Sequence, residues 1–196
     1  SNEMISLRLT ELIFNGLVGI NEKQEIVPEL AERWDRSADS RTYTFFLRKD
    51  VMWHPKEGED PKPFTAEDVI FTYKIMMHPR TITPLKVRYE FIDSVEKLDD
   101  FTVKFTLKRP ILNALARFTF KVIPKHGPAN SAFLTREDPF VHHPLGTGPY
   151  LLKTVTAERE IVLAANDHYF KGRPHIDTIV AKPFADQNIM TQGLLF

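Results

Sequence analysis

The chain has no cysteine, so any chemistry it does must come from histidine, glycine-rich turns, serine or charged side chains. Thiolate catalysis, disulfides and cysteine-based zinc sites are excluded. Seven histidines invite a metal reading. Their spacing does not support it: His142 and His143 are adjacent, and His168 and His175 lie seven positions apart. Neither gives the i, i+4 pair that a zinc protease places on one helix face, and no His-Glu-x-x-His occurs. Surface or loop histidines are the expectation, with no metal. Gly146-Thr147-Gly148 has the composition of a phosphate-cradling loop. However, no lysine follows it, Pro149 comes next, and a strand rather than a helix is expected after it, so no helix N-terminus is available for an anion. Ser6, Ser37, Ser40, Ser94 and Ser131 all lie outside Gly-x-Ser-x-Gly. No catalytic residue and no cofactor are therefore expected.

Two pairs remain. Trp53-His54 follows a strand pattern and could line a pocket, although an aromatic at a strand end is more usually core packing. Arg88-Tyr89 falls in an irregular stretch and offers a charge beside a stacking face, the kind of group that loops on a rigid scaffold present to ligands. The plain alternative is a solvated arginine and a half-buried tyrosine.

The elements that would position these residues follow from periodicity. Ile5, Leu9, Leu12 and Ile13 recur at helical spacing, with Gly16 as a stop. Leu17 to Ile20 reads as a short strand. The run from Ile26 to Trp34 reads as a short helix with Pro28 in its first turn and Trp34 as a core anchor. Thr42 to Arg48 alternates as a strand with Tyr43, Phe45 and Leu47 on one face. Val51 to His54 suggests a further short strand, followed by a charged loop from Pro55 to Pro63. Thr65 with Asp68 predicts a capping box and a helix that stops before Pro79. Phe91 to Leu98 and Phe101 to Leu107 predict an antiparallel hairpin, and Leu112 to Phe118 a helix. After the turn, Tyr150 to Val155, Glu160 to Ala164 and His175 to Lys182 predict three strands, and Asp186 to Leu195 the start of a helix. The Gly146-Thr147-Gly148-Pro149-Tyr150 turn separates two structural units, its glycines expected to permit positive-φ geometry.

Composition narrows the class. The 196 residues, 42% hydrophobic and 27% charged, can bury a core in one domain or two small ones. A formal net charge of zero argues against a nucleic-acid surface or a polybasic membrane patch. No apolar run reaches membrane-spanning length. The opening Ser1-Asn2-Glu3 resembles a tag-cleavage scar, so a missing signal peptide is uninformative. The ending at Leu194-Leu195-Phe196, inside an apolar pattern, suggests a truncated longer protein.

Several phrases then occur in one order. They are Thr10 to Val18 (TELIFNGLV), Pro28 to Trp34 (PELAERW), Thr42 to His54 (TYTFFLRKDVMWH) and Pro63 to Tyr73 (PFTAEDVIFTY). Leu145 to Tyr150 (LGTGPY), Asn166 to Pro174 (NDHYFKGRP) and Ile176-Asp177 follow. Together they resemble the family 5 extracellular solute-binding proteins, the oligopeptide and dipeptide receptors of ABC importers. The resemblance implies a mixed α/β fold, a periplasmic-binding-protein-like first lobe. Residues 1–32 and 146–196 would form parts of that main lobe, and 33–145 an inserted subdomain of antiparallel strands and helices. Gly146, Thr147, Gly148, Pro149 and Tyr150 would be the return crossover, architectural rather than ligand-touching. It further implies a periplasmic or extracellular, or lipid-anchored, receptor with a peptide ligand and an ABC permease as partners. Arg88 and Tyr89 become the expected cleft-facing residues.

Two departures stand out. The family's short link after Trp-His is expanded here to Pro55 to Pro63. The chain is also less than half a family member's length, so the second lobe is expected to be absent. A single half-site should bind peptide weakly or not at all, and exposed edges could let it dimerise. Receptors for nickel chelates or oligosaccharides share the fold and stay open as alternatives, as does a sensory or structural module. A hydrolase lacks its constellation.

Overall fold

The computed structural model describes residues 9–56, 58–81, 83, 85–129, 132–135, 137–156 and 160–182. Residues 9–13 are helical, and Phe14 N–H closes that turn onto Thr10. The expected helix over 186–195 lies outside the described residues. Strands β1 (Val18–Ile20) and β2 (Ile26–Pro28) pair antiparallel through the turn at Asn21, whose Oδ1 accepts from the Lys23 and Glu25 N–H groups.

The main sheet holds β3 (Ala31–Arg36), β4 (Thr42–Leu47), β5 (Ile92–Asp99) and β6 (Thr102–Leu107), all antiparallel in the order β3-β4-β6-β5. The alternation read in Thr42 to Leu47 is real: Tyr43, Phe45 and Leu47 are buried, and Val103, Phe105 and Leu107 share their face. Helix α1 (Ala66–Met77) packs its Ala66, Val69 and Met76 into that core. Phe118 fills the centre, with its ring centroid 4.8 Å from Phe45 and 4.9 Å from Phe105. A single face of paired strands thus closes over one helix and an aromatic plug.

A second, smaller core gathers Leu9, Ile13 and Phe14 with Phe140, Tyr150 and Leu163. It sits under the antiparallel sheet β7 (Tyr150–Val155), β8 (Ile161–Ala165) and β9 (Thr178–Ala181). The remaining helices are α2 (Leu85–Tyr89), a 3-10 helix (Ala114–Thr119) and α3 (Pro139–His142).

Five expectations need correction. Residues 51–54 form no strand and contribute only the isolated bridge between Met52 and Pro63, and Arg88-Tyr89 lie in a helix and not in an irregular stretch. The run from Ile26 to Trp34 is not a helix; it splits into β2 and β3. Backbone pairing decides this: Leu30 and Ala31 N–H groups donate to Gly16 and Leu17 carbonyls, and Ala31 faces Leu47 across the sheet. Pro28 ends an edge strand, where its missing N–H costs nothing. Trp34 is half-buried, resting on Phe45 rather than anchoring the core. The predicted helix from Leu112 shortens to a 3-10 turn, which leaves Leu112 88% exposed.

Candidate functional site: a cavity and the turn that braces it

A cavity of about 720 Å³ opens between helix α1, helix α2, the segment after the 3-10 helix and the stretch leading into α3. Its apolar wall includes Ile75, Met76, Phe120 and Tyr89, all buried. Arg80, Arg88, Glu11, Lys121 and Glu137 supply charge. A volume in this range suits a small organic ligand or a few side chains of a larger one.

Local chemistry fixes the walls. Asp68 reaches back from the first turn of α1 to accept from the Thr65 N–H at 2.9 Å, as the capping pattern predicted. The same carboxylate accepts from the Lys125 N–H at 2.8 Å and from the Trp53 indole at 3.2 Å. Burial holds the Asp68 carboxyl above the usual carboxylate range, against the pull of those donors. One turn on, the Ile123 N–H donates to the Thr72 hydroxyl at 2.9 Å, and that hydroxyl donates to the Asp68 carbonyl at 2.8 Å. Residues 123–125 are thereby stitched to α1, which sets the floor of the cavity. At the rim, the rings of His78 and Phe133 stack with centroids 5.4 Å apart, and Arg80 lies 4.6 Å from the Phe133 centroid.

Helix α2 brings Arg88 and Tyr89 to this cavity, and both line it. Tyr89 is only 4% exposed; its ring packs edge-on to Phe120, and burial pushes its hydroxyl above the usual tyrosine range. Arg88 is exposed and has no ion-pair partner among the described residues. Lys121, by contrast, is paired with Glu11 at 2.5 Å.

The Gly146-Thr147-Gly148 turn lies beside the second core and is held by His54, whose role there the sequence did not show. His54 is 3% exposed. Its Nδ1 accepts from the Gly146 N–H at 3.1 Å, its Nε2–H donates to the Gly148 carbonyl at 3.0 Å, and its own N–H donates to the Gly146 carbonyl at 2.8 Å. This pattern requires the neutral Nε2–H tautomer. Burial lowers its pKa to about 4. The general surface-or-loop expectation for the histidines therefore fails for His54, while the core-packing reading of Trp53-His54 holds; the partners of His54 are some ninety residues downstream.

The glycines also differ from expectation. Among the described glycines, positive φ occurs at Gly58 and Gly172, not in this turn. What Gly146 and Gly148 provide is proximity: a Cβ on Gly146 would sit 1.7 Å from the Ile13 carbonyl oxygen, and one on Gly148 would sit 2.4 Å from that of Leu12. The Gly148 N–H donates to the Ile13 carbonyl at 2.8 Å. Thr147 donates to Asn15 Oδ1 at 3.1 Å, while the amide of Asn15 reaches Glu29 and the Tyr169 hydroxyl, each at 3.4 Å. Asn166 donates to the Gly148 carbonyl at 3.0 Å. Asn15, Glu29, Thr147, Asn166 and Tyr169 thus form one polar clasp. The phrases Asn15-Gly16 and Asn166 to Tyr169 were visible in the sequence, but nothing local showed that they meet.

The chain matches the family model described as bacterial extracellular solute-binding proteins, family 5 Middle, over residues 25–195. It is 32% identical to Di/tripeptide-binding protein 4 of Pseudomonas aeruginosa (strain UCBPP-PA14), covering 93% of this chain and 37% of that one. The oligopeptide-binding protein AppA of Bacillus subtilis, solved with a nonapeptide, superposes with a TM-score of 0.85 at 31% identity, covering 96% of this chain and 37% of that one. NikZ of Campylobacter jejuni, solved with Ni(L-His), gives 0.83 at 31% identity, covering 94% and 36%. The chain therefore spans little more than a third of the length of these relatives. With a fold of this likeness and a family match running almost from β2 to the final residues, the chain belongs to the family 5 bacterial extracellular solute-binding proteins.

Proposed function

We propose that the chain supplies one lobe of the substrate-binding component of an ABC importer, which captures peptides outside the cytoplasmic membrane and hands them to a permease. The observation that carries this reading is the cavity of about 720 Å³ with Arg88 and Tyr89 in its wall, in a chain whose relatives include a di/tripeptide-binding and an oligopeptide-binding protein. The role is binding, not catalysis. The protein works in the periplasm or at the cell exterior, with a lipid anchor as one means of retention.

The main lobe is formed by 1–32 and 146–196, and 33–145 is an inserted subdomain. The joining of residues 9–14 to Tyr150 and Leu163 in the second core favours this, although Phe140 from the 33–145 stretch also enters that core. Leu17, Val18, Leu30 and Ala31 pack on the first core, so the β1–β2 hairpin is the seam between the two. Gly146 to Tyr150 is then the crossover. Alone, a chain spanning little more than a third of its relatives' length is not expected to close around a ligand from both sides. Strands β3, β5, β7 and β9 each end a sheet, and these edges let the isolated chain pair with a second copy.

The whole protein, purified natively and then denatured, should release peptides detectable by mass spectrometry. The 196-residue chain, titrated with a mixed peptide pool in a calorimeter, should show no micromolar binding. A whole protein that arrives empty and ignores peptides would overturn the reading. Release of a nickel–amino-acid complex or a saccharide would change the ligand class but keep the receptor role.

A further inference from the structure

We infer that the cavity takes a ligand residue presenting a carboxylate next to an apolar side chain, with Arg88 holding the carboxylate. The inference rests on reading this cavity as the ligand cleft, and it adds the chemistry the cleft selects.

Charge across the cavity is unequal. Arg80, Arg88 and Lys121 face two carboxylates, Glu11 and Glu137. Glu11 is taken up by Lys121. Arg80 rests on the Phe133 ring, and Glu137 joins no ion pair among the described residues, so the cavity keeps one positive charge in excess. Arg88 is left as an exposed guanidinium with no ion-pair partner among the described residues, at the end of a short helix whose last residue, Tyr89, is locked into the core. Its base is therefore fixed while its head is free. A guanidinium presents a planar fork that matches a carboxylate through two parallel hydrogen bonds. Directly beside it the wall is apolar, through Ile75, Met76, Phe120 and Tyr89. An apolar group entering there leaves water without losing a partner. A group satisfying both walls carries its charge and its apolar part on neighbouring atoms, as an amino acid with a free carboxylate does. An acidic residue beside an apolar one in a peptide does the same.

The test uses the 196-residue chain, ¹⁵N- and methyl-labelled, titrated with N-acetyl-leucine and with N-acetyl-leucinamide. The acid should bind at least about tenfold more tightly than the amide, the value of a charge-assisted hydrogen bond. Shifts should centre on Ile75, Met76 and Phe120. Arg88→Gln should bring the acid down to the amide's affinity and leave the amide unchanged; Arg88→Lys should keep part of the difference. Equal binding of acid and amide, indifference to Arg88→Gln, or shifts elsewhere would overturn the inference. Two peptides identify the source of the carboxylate: one ending in a free leucine, and one amidated with glutamate beside leucine. Binding of either supports the inference, and failure of both overturns it.

This test and the proposed function fail separately. A whole protein that releases peptides while neither probe binds here would sink the carboxylate subsite and keep the receptor. Probe binding here, with a whole protein that carries no peptide, would do the reverse.

Discussion

Gly146→Ala is the sharpest perturbation the structure offers. A Cβ there would lie 1.7 Å from the Ile13 carbonyl oxygen, whereas real Cβ atoms keep at least 3.0 Å. The two backbones must part by more than an ångström. Three hydrogen bonds run through that contact: Gly148 N–H to the Ile13 carbonyl, His54 N–H to the Gly146 carbonyl, and Gly146 N–H to His54 Nδ1. Each contributes roughly 1 kcal/mol net, and more if its partner stays buried and unpaired. Loss or stretching of all three predicts a cost of about 3 kcal/mol. Gly172 is the control, because it has φ +95 and open space where a Cβ would go. Gly172→Ala should cost only about 1 kcal/mol, from strain alone. Asparagine separates the two causes, since it tolerates positive φ but still carries a Cβ. Gly172→Asn should recover most of the loss, and Gly146→Asn none. Urea unfolding followed by circular dichroism measures all four variants. If Gly146→Ala proves no more costly than Gly172→Ala, the close-approach reasoning is wrong.

His54 sets an acid limit on the same turn. Its folded pKa of about 4 lies below the usual histidine value near 6.5. The unfolded chain therefore takes up the proton first. Stability from this group is complete above about pH 6.5, falls as the pH drops towards 4, and is flat below that. The loss amounts to about 3 kcal/mol over that window. His54→Gln should be less stable at pH 7 and should flatten this part of the urea-midpoint-against-pH curve; an unchanged slope would clear His54. Thr147→Val removes the donor to buried Asn15 Oδ1 while keeping shape. It should lower stability by about 1–3 kcal/mol, and Thr147→Ser should restore most of it. Equal melting temperatures for the valine and serine variants would remove the clasp from the account.

What the sequence disclosed follows the range of the forces involved. Tyr43, Phe45 and Leu47 announced their strand because a pleated ribbon alternates faces within a few residues. Thr65 and Asp68 announced their helix because a cap is a three-residue interaction. Residues 26–34 misled because proline followed by good helix formers is a local signal, and pairing with Leu47 and Leu17 outweighed it. His54 was illegible for the same reason in reverse: its polar partners come from the turn ninety residues on, so its environment is entirely tertiary. The cavity draws its wall from Thr10 to Val141; the pairing of charge and ring at Arg88-Tyr89 drew attention to them in advance, and the family pattern turned them into cleft-facing candidates.

The contact between residues 12–13 and the Gly146–Gly148 turn also orders events during synthesis. The first core closes with residues 17–122. Leu9, Ile13 and Phe14 have no core of their own until Phe140, Tyr150 and Leu163 have left the ribosome. Asn15 likewise waits for Thr147 and Tyr169. Residues 9–15 are thus secured only after the stretch from 140 to 169 is made, and at the usual pace of about 5–20 residues per second they wait on the order of ten seconds for their partners. Handling of the nascent chain, as much as its final stability, acts on that segment.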